Sequence, residues 1–178
     1  MPLFATMQAT KGKRNGSHSG QCQEAGLKSM LVFESQNFDV ITPEHPHVSR
    51  GDGGHLIINP KVAVEDRTKL SREQAIELMK LTMVAGEAMK TVLTRNGIEI
   101  GRINYQDNGN WRHELHIHIY GRARGATIQT YGHPLSFPPT AQAFRDQMGN
   151  LEPLSAGDIE GIKAEMVRLL ATDRYRWF

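Results

Sequence analysis

The sequence has little of several features that would assign it to a class at once. It contains a single cysteine, Cys22, so no disulfide can form within the chain, which is typical of a reducing compartment. No apolar run approaches the roughly 20 residues that a membrane span needs, and the first seven residues do not follow the pattern of a secretory signal. We therefore expect a cytoplasmic protein with no membrane partner.

An excess of charge of either sign is also missing. The 21 Lys and Arg residues nearly balance the 19 Asp and Glu residues, and the formal net charge is +2. This charge does not indicate a nucleic-acid partner, although it does not oppose an anionic ligand. The glycine-rich stretch 51–54 lacks the following Gly-Lys-Ser/Thr of a phosphate-binding P-loop. We expect neither a nucleic-acid partner nor a bound cofactor.

The 178 residues suffice for one domain with a substantial core. Residues 1–28 are rich in Gly, Ser, Gln and Lys without a hydrophobic period, which predicts a flexible N-terminal tail. Residues 29–125 are interpreted as the domain itself. Residues 126–178 are interpreted as a C-terminal extension, a loop and a helix that pack on the same domain.

The hydrophobic pattern predicts an α+β fold. Short apolar runs predict strands at 30–33, 38–41 and 55–58, and longer runs predict an antiparallel pair at 98–105 and 111–120. Between these groups, Ser71 and Gln74 form a potential capping box for a long helix that ends at Asn96-Gly97. The chain is loop-like from Gly121 through Pro139, and a second amphipathic helix follows Ser155. Strands, a helix and a strand hairpin in this order indicate α+β architecture.

The stretch 112–120 carries the chemistry. Successive side chains of a strand point to opposite faces. One predicted face is apolar and consists of Leu115, Ile117 and Ile119, and the other consists of Glu114, His116, His118 and Tyr120. Near neutral pH an imidazole is substantially unprotonated, so one histidine can act as a nucleophile while its neighbour donates to an anion. The pattern predicts a site for a phosphate ester or anhydride beside His116 and His118.

Two other interpretations of these histidines stay open at this point. The polar face could simply be solvated. Alternatively, His-x-His on a strand is a common pair of metal ligands. In that case a third ligand would come from Glu114, His55, His45 or His47.

The same residues resemble a known family. The stretch 114–120, Glu-Leu-His-Ile-His-Ile-Tyr, is similar to the His-φ-His-φ-His-φ-φ signature of the histidine triad (HIT) nucleotide hydrolases and transferases, with Glu114 in place of the first histidine. The stretch 54–61, Gly-His-Leu-Ile-Ile-Asn-Pro-Lys, resembles an upstream strand of that family. Further matches are Asn104 and Gly109 at an Asn-x-Gly turn and Arg122 after the histidines. The resemblance covers roughly residues 30–124.

The resemblance implies a fold and a reaction. The fold would be a mostly antiparallel sheet with one long helix after the third strand and a C-terminal helix. His116 would attack an α-phosphate and form a covalent nucleotidyl-histidine, and His118 would hydrogen-bond a phosphate oxygen. The carbonyl of Glu114 would orient His116 by accepting from its other ring nitrogen. The substrate would be a nucleotide phosphoramidate, a dinucleoside polyphosphate or a related ester.

The resemblance also implies the surroundings of the site. Substrate contacts are expected from His55, Asn104, Gly109, Glu114 and Arg122. Proteins of this family are commonly homodimers, so we expect one here. The family often has a serine or threonine where this sequence has Trp111. A nucleotide-binding module with little catalysis is the alternative function, and a His-x-His metal enzyme is a weaker one.

Overall fold

The computed structural model describes residues 29–107, 109 and 111–176. The predicted tail 1–28, with Cys22, lies outside the described residues. Five strands and four α-helices occur in the described part of the chain. The strands are β1 Ser29–Glu34, β2 Phe38–Pro43, β3 His55–Pro60, β4 Ile100–Gln106 and β5 Ile117–Ala123. The helices are α1 Arg72–Arg95, α2 Ala141–Met148, α3 Ala156–Leu170 and α4 Asp173–Arg176.

The strands form one antiparallel sheet in the order β1-β2-β3-β5-β4. This confirms the α+β fold, with the long helix α1 after the third strand and a helix near the C-terminus. In the centre of the sheet His55 pairs with Tyr120 and Ile57 pairs with His118. The strand that precedes the long helix and the strand that carries the histidines are therefore direct neighbours.

One face of the sheet forms the core with the long helix. Alternate strand residues such as Val40, Ile58 and Ile119 are fully buried against α1. The helix begins at the predicted capping box, in which the Ser71 hydroxyl accepts from the Gln74 amide and the Gln74 side chain accepts from the Ser71 amide. The opposite face of the sheet is therefore available for other contacts.

The C-terminal helix α3 completes this core. Its buried residues Ile162 and Met166 belong to the same hydrophobic cluster as the sheet and α1. Asp158 accepts from the Arg50 guanidinium and from the Asn96 side chain, which links the start of α3 to the rest of the domain. In the described part of the chain, no helix combines the length and apolar character needed to cross a membrane.

Two elements differ from the sequence prediction. The histidine strand was predicted over 111–120, but β5 spans Ile117–Ala123, because the preceding residues leave the ladder and the Leu115 amide donates to the Val64 carbonyl. The helix α2 was not predicted. It has only eight residues, begins at the Thr140 N-cap, and buries a single side chain, Phe144, so its hydrophobic pattern is too short to recognise.

Two buried charged side chains attach the loop after β5 to the domain. The Asp52 carboxylate accepts from three consecutive backbone amides, at 127, 128 and 129, over 2.6 to 2.9 Å. The Arg122 guanidinium donates to the carbonyls of residues 129, 130 and 133. Both side chains are at most 4% exposed. Because every one of these bonds ends on the backbone, the pair fixes the course of the loop that leads to α2.

We expect Asp52→Ala to lower the free energy of unfolding by about 3 kcal/mol, because it leaves three inward-facing amide groups without their acceptor. Urea denaturation followed by circular dichroism measures the change. Asp146→Ala on the exposed side of α2 is the control, with an expected change below about 0.5 kcal/mol. Equal stability of the two variants would contradict the role of Asp52.

Candidate active site

A cavity of about 860 Å³ lies between the free face of the sheet and the C-terminal extension. From the sheet it is lined by Ile41, His55, Ile57, His116, His118 and Tyr120. From the extension it is lined by residues of the segment 137–145. Its volume is within the range that holds a small-molecule ligand.

The predicted alternation around the histidines is observed. Leu115, Ile117 and Ile119 belong to the hydrophobic core, whereas His116 and His118 line the cavity. Their ring centroids lie 4.7 Å apart with the planes nearly perpendicular. Each imidazole is 9% exposed, so both are largely shielded from bulk water.

The backbone sets the proton position on His116. Its Nδ1 lies 2.7 Å from the carbonyl oxygen of Glu114. A carbonyl can only accept, so Nδ1 carries the proton and donates it. In the neutral ring Nε2 then has the lone pair, which is the state that a nucleophile requires.

A second chain of hydrogen bonds sets the proton position on His118. The backbone amide of His47 donates to Nδ1 of His55 at 3.1 Å. Neutral His55 must then carry its proton on Nε2, which donates to Nδ1 of His118 at 2.9 Å. The remaining ring nitrogen of His118, Nε2, therefore carries a proton that it can donate to an anion.

Burial keeps these imidazoles neutral. It lowers the pKa of His118 to about 2, with a further contribution from the neighbouring charges of His47, His116 and Arg112. It also lowers the pKa of His55 well below its ordinary value. A charged imidazole loses its hydration when it is buried, whereas a neutral one keeps its two hydrogen bonds. The proton positions deduced for His55 and His118 therefore hold at physiological pH.

His47 is a component of the site that the sequence indicated only as a possible metal ligand. Its ring stacks on His55 with centroids 4.7 Å apart, and its Nδ1 shares a 2.8 Å hydrogen bond with the hydroxyl of Tyr120. Burial lowers the pKa of His47 to about 4. It also contacts the rings of Trp111 and Phe144. His47 thus connects the histidine row to an aromatic cluster, a contact between segments far apart in sequence.

The other predicted substrate contacts are placed differently. Gly109 lines the main cavity and also a smaller one of about 250 Å³ beside it, whereas Glu114 lines only the smaller one. Asn104 and Arg122 are not among the described residues that line either cavity. Asn104 pairs with Tyr120 across the strands, and Arg122 is turned to the loop carbonyls. In this structure the Arg122 guanidinium thus holds the loop after β5.

Three imidazoles lie close enough to share a metal ion. One ring nitrogen from each of His47, His55 and His118 can be chosen so that all lie within 4.8 Å of one another. However, the facing nitrogens of His55 and His118 already share a hydrogen bond. An ion at this position would have to replace that bond. His116, the predicted nucleophile, is not part of the group.

The sheet and the cavity define an α+β protein with a histidine-based site on the free face of an antiparallel sheet. The chain belongs to the HIT domain family, because the model of that family matches residues 28–125, more than half of its length. A comparison with curated proteins finds no match.

Several solved structures share this fold at low sequence identity. A histidine triad protein from Bradyrhizobium japonicum has a TM-score of 0.56 at 15% identity, over 86% of this chain and 96% of that one. A hypothetical histidine triad nucleotide-binding protein from Sulfolobus tokodaii strain 7 has a TM-score of 0.53 at 19% identity, over 81% of this chain and 87% of that one. A zinc-bound histidine triad family protein from Mycobacterium smegmatis has a TM-score of 0.51 at 15% identity, over 80% of this chain and 86% of that one. At these identities the likeness shows the fold.

The lowered pKa of His47 predicts a pH dependence of stability. Between its ordinary pKa of 6.5 and about 4, the unfolded chain binds a proton that the folded protein does not bind. The free energy of unfolding should therefore fall as the pH falls through this range. The variant His47→Asn keeps a polar group near Tyr120 but has no imidazole to titrate. The slope of its unfolding free energy against pH should therefore be smaller than that of the wild-type protein by about 1.4 kcal/mol per pH unit. Urea denaturation at pH 7, 6 and 5 measures both slopes, and identical slopes would refute the assignment.

Proposed function

We propose that the protein is a nucleotide hydrolase or nucleotidyl transferase that works through a covalent nucleotidyl-histidine on His116. The observation that carries the proposal is the hydrogen bond from Nδ1 of His116 to the Glu114 carbonyl, with His118 beside it as a donor. Membership of the HIT family supports this class of reaction. The substrate class is a nucleotide phosphoramidate, a dinucleoside polyphosphate or a related phosphate ester.

In the first step Nε2 of His116 attacks the α-phosphorus. The new N–P bond forms with the imidazole lone pair while the bond from phosphorus to the leaving group breaks, and its electron pair leaves with that group. The imidazole of the intermediate is cationic because it carries phosphorus on one nitrogen and a proton on the other. The Glu114 carbonyl, 2.7 Å from Nδ1, stabilises this charge.

In the second step water, or another acceptor in a transferase, attacks the same phosphorus. The N–P bond breaks and its electron pair returns to Nε2 of His116. A water molecule loses one proton to solvent in the process and the product is a nucleoside monophosphate. His116 is then ready for the next substrate.

His118 supplies a hydrogen bond rather than a mobile proton. Its Nε2–H can stabilise the negative charge on a phosphoryl oxygen. Losing that proton would leave an imidazolate, because Nδ1 of His118 carries no proton and only accepts from His55. His55 cannot pass its proton on, because the group that donates to its own Nδ1 is a backbone amide, which does not give up its proton. The phosphate released from an anhydride departs without a proton from His118 and fits this arrangement best, whereas the amine of a phosphoramidate takes its proton from solvent as the P–N bond breaks.

We also propose that Glu114 occupies the position of the first triad histidine. That position contributes its backbone carbonyl to His116, and the carbonyl does not depend on the side chain. The Glu114 side chain belongs to the wall of the smaller cavity, with Glu65, Asp66 and Asp107. His116 also lines this smaller cavity, whereas Glu114 is not among the described residues that line the main one, and this supports a replacement that is compatible with catalysis.

Two alternatives have different consequences. A binding module without catalysis would use the same cavity but would form no covalent adduct. A metal enzyme based on His116 and His118 receives less support, because the imidazoles that come together are those of His47, His55 and His118.

We expect His116→Ala to abolish both nucleotide release and the covalent adduct while leaving the fold unchanged. The wild-type protein is mixed with adenosine 5′-phosphoramidate or diadenosine tetraphosphate without added metal. Intact-protein mass spectrometry after acid-free quenching then detects the added nucleotidyl mass. His113→Ala, at an exposed neighbouring histidine, is the matched control and should keep full activity. Turnover by His116→Ala at the wild-type rate would refute the mechanism.

We further propose that the protein is a homodimer joined through β4 and α1. Among the described strands, β4 has a neighbour on one side only, so its outer edge is available for pairing. Exposed apolar side chains flank it, namely Ile76, Met79 and Tyr105, each 41 to 52% exposed. Tyr105 packs beside Gly86 of α1, which makes the strand edge and the helix one continuous surface.

Light scattering coupled to gel filtration should give a mass of about twice the 19.9 kDa of one chain. Tyr105→Arg places a charge on the proposed interface and should give the mass of a single chain. Val167→Arg, at an exposed apolar residue of α3, is the control and should leave the dimer intact. A wild-type mass of one chain would exclude the dimer.

A further inference from the structure

We propose that α2 and the segment before it form a nucleobase-binding wall, in which Phe144 positions the aromatic rings that pack on the base of the substrate. The inference rests on the proposed function, because it assigns the part of a nucleotide that the histidines do not hold. The wall lies outside residues 28–125, the part of the chain that matches the HIT family. It is therefore a property of this chain's own extension.

The spacing of α2 directs one side of the helix into the cavity. Ala141, Phe144 and Arg145 line the cavity and are three and four residues apart, which places them on one side of a helix. Gln142, Asp146 and Gln147 are exposed. Phe144 is 4% exposed because the rings of His47, Trp111 and Phe137 surround it, so it supports these rings from behind.

The helix is attached to the domain at both ends, so this wall has a defined position. Before α2, the loop is fixed by Asp52 and Arg122, as described above. After α2, the carbonyl of Gly149 bonds to Nδ1 of His45 at 2.8 Å. A few residues later the Glu152 carbonyl accepts from the Arg50 amide at 2.8 Å. A wall held in this way is preorganised for a ligand rather than folded around it.

The opposite wall of the cavity is an apolar floor at the right distance from the phosphate site. Ile57 pairs with His118 on the adjacent strand, and Ile41 pairs with Ile57 on the next strand. Strands are spaced by about 4.8 Å, so these side chains lie about 5 and 10 Å from the strand of the histidines. A ribose and its base extend over this distance from an α-phosphate bound at His118.

Aromatic side chains complete the wall. The rings of Phe144 and Trp111 lie 5.7 Å apart, and those of Phe144 and Phe137 lie 6.3 Å apart. Phe137 and Trp111 line the same cavity as Ile41 and Ile57, and we place the planar base between the aliphatic floor and these two rings, a contact that is favourable for every base. Arg145 adds a positive charge on the same side of α2, which suits a ring that is followed by phosphates.

The test compares two substrates that differ only in the base, adenosine 5′-phosphoramidate and ribose 5-phosphoramidate. The variant Phe144→Leu keeps an apolar side chain but removes the ring. We expect it to lower kcat/KM for the adenosine compound by roughly 10- to 100-fold, mainly through KM, and to leave kcat/KM for the ribose compound unchanged. Gln147→Ala, on the exposed side of α2, is the matched control and should change neither value. Equal losses on both substrates, or no loss on either, would overturn the proposal.

Two further measurements keep the test decisive. If Phe144→Leu does not fold, Ala141→Leu replaces it. The larger side chain fills part of the cavity and should selectively raise KM for the adenosine compound. If the wild-type protein hydrolyses neither compound, the proposed reaction fails but the wall is still tested by calorimetric binding of AMP and of ribose 5-phosphate. Stronger wild-type binding of AMP that is lost in the variant supports the wall. Equal binding of the two ligands by the wild-type protein overturns it.

Discussion

The proton positions on three imidazoles depend on two backbone groups, the carbonyl of Glu114 and the amide of His47. The carbonyl can only accept and the amide can only donate, so neither can reverse its role when the surroundings change. One end of the row therefore presents a lone pair on His116, and the other presents an N–H on His118. His116, just before β5, and His118, two residues further on, thus carry a lone pair and an N–H that are both set by backbone groups.

Such an arrangement requires neutral imidazoles, and burial meets this requirement for His55 and His118 by lowering the pKa of each. His55 is 1% exposed, and the rings of His47 and Tyr120 cover it on the cavity side. Protonation of His55 or His118 would break the hydrogen bond that its Nδ1 accepts and place a charge in a buried environment. The same burial shields the site from bulk water, which in the proposed reaction strengthens the interaction of the His118 N–H with a phosphate oxygen.

The sequence was sufficient for the features that depend on local periodicity. The order of strands and helix, the capping box at Ser71 and the two faces around His116 and His118 all follow from spacing within a few residues. The position of the carbonyl at Glu114 followed from the family resemblance. The strand boundary was wrong because a tertiary hydrogen bond, from Leu115 to Val64, ends the regular part of β5. No local pattern contains that information.

The contacts that the sequence could not supply are those between distant segments. His47 meets His55 and Tyr120 because a loop folds back over the sheet, and Phe144 meets His47 across 97 positions of sequence. Arg122 follows the histidines at the position where a phosphate contact was expected, yet its guanidinium satisfies three loop carbonyls. A basic residue at this position can contact either a bound anion or backbone carbonyls, and the course of the loop after β5 decides between them.

The extension has two separate physical roles, and this separation bears on how the site could change. Its helix α3 contributes Ile162 and Met166 to the core, so substitutions there act on stability. Its helix α2 contributes one buried side chain and lines the cavity, so substitutions there act mainly on what the cavity accepts. Because the histidine row is fixed by the backbone of other segments, α2 can vary without disturbing the proton positions. In the proposed function, the chemistry and the choice of substrate are therefore built on different parts of the chain.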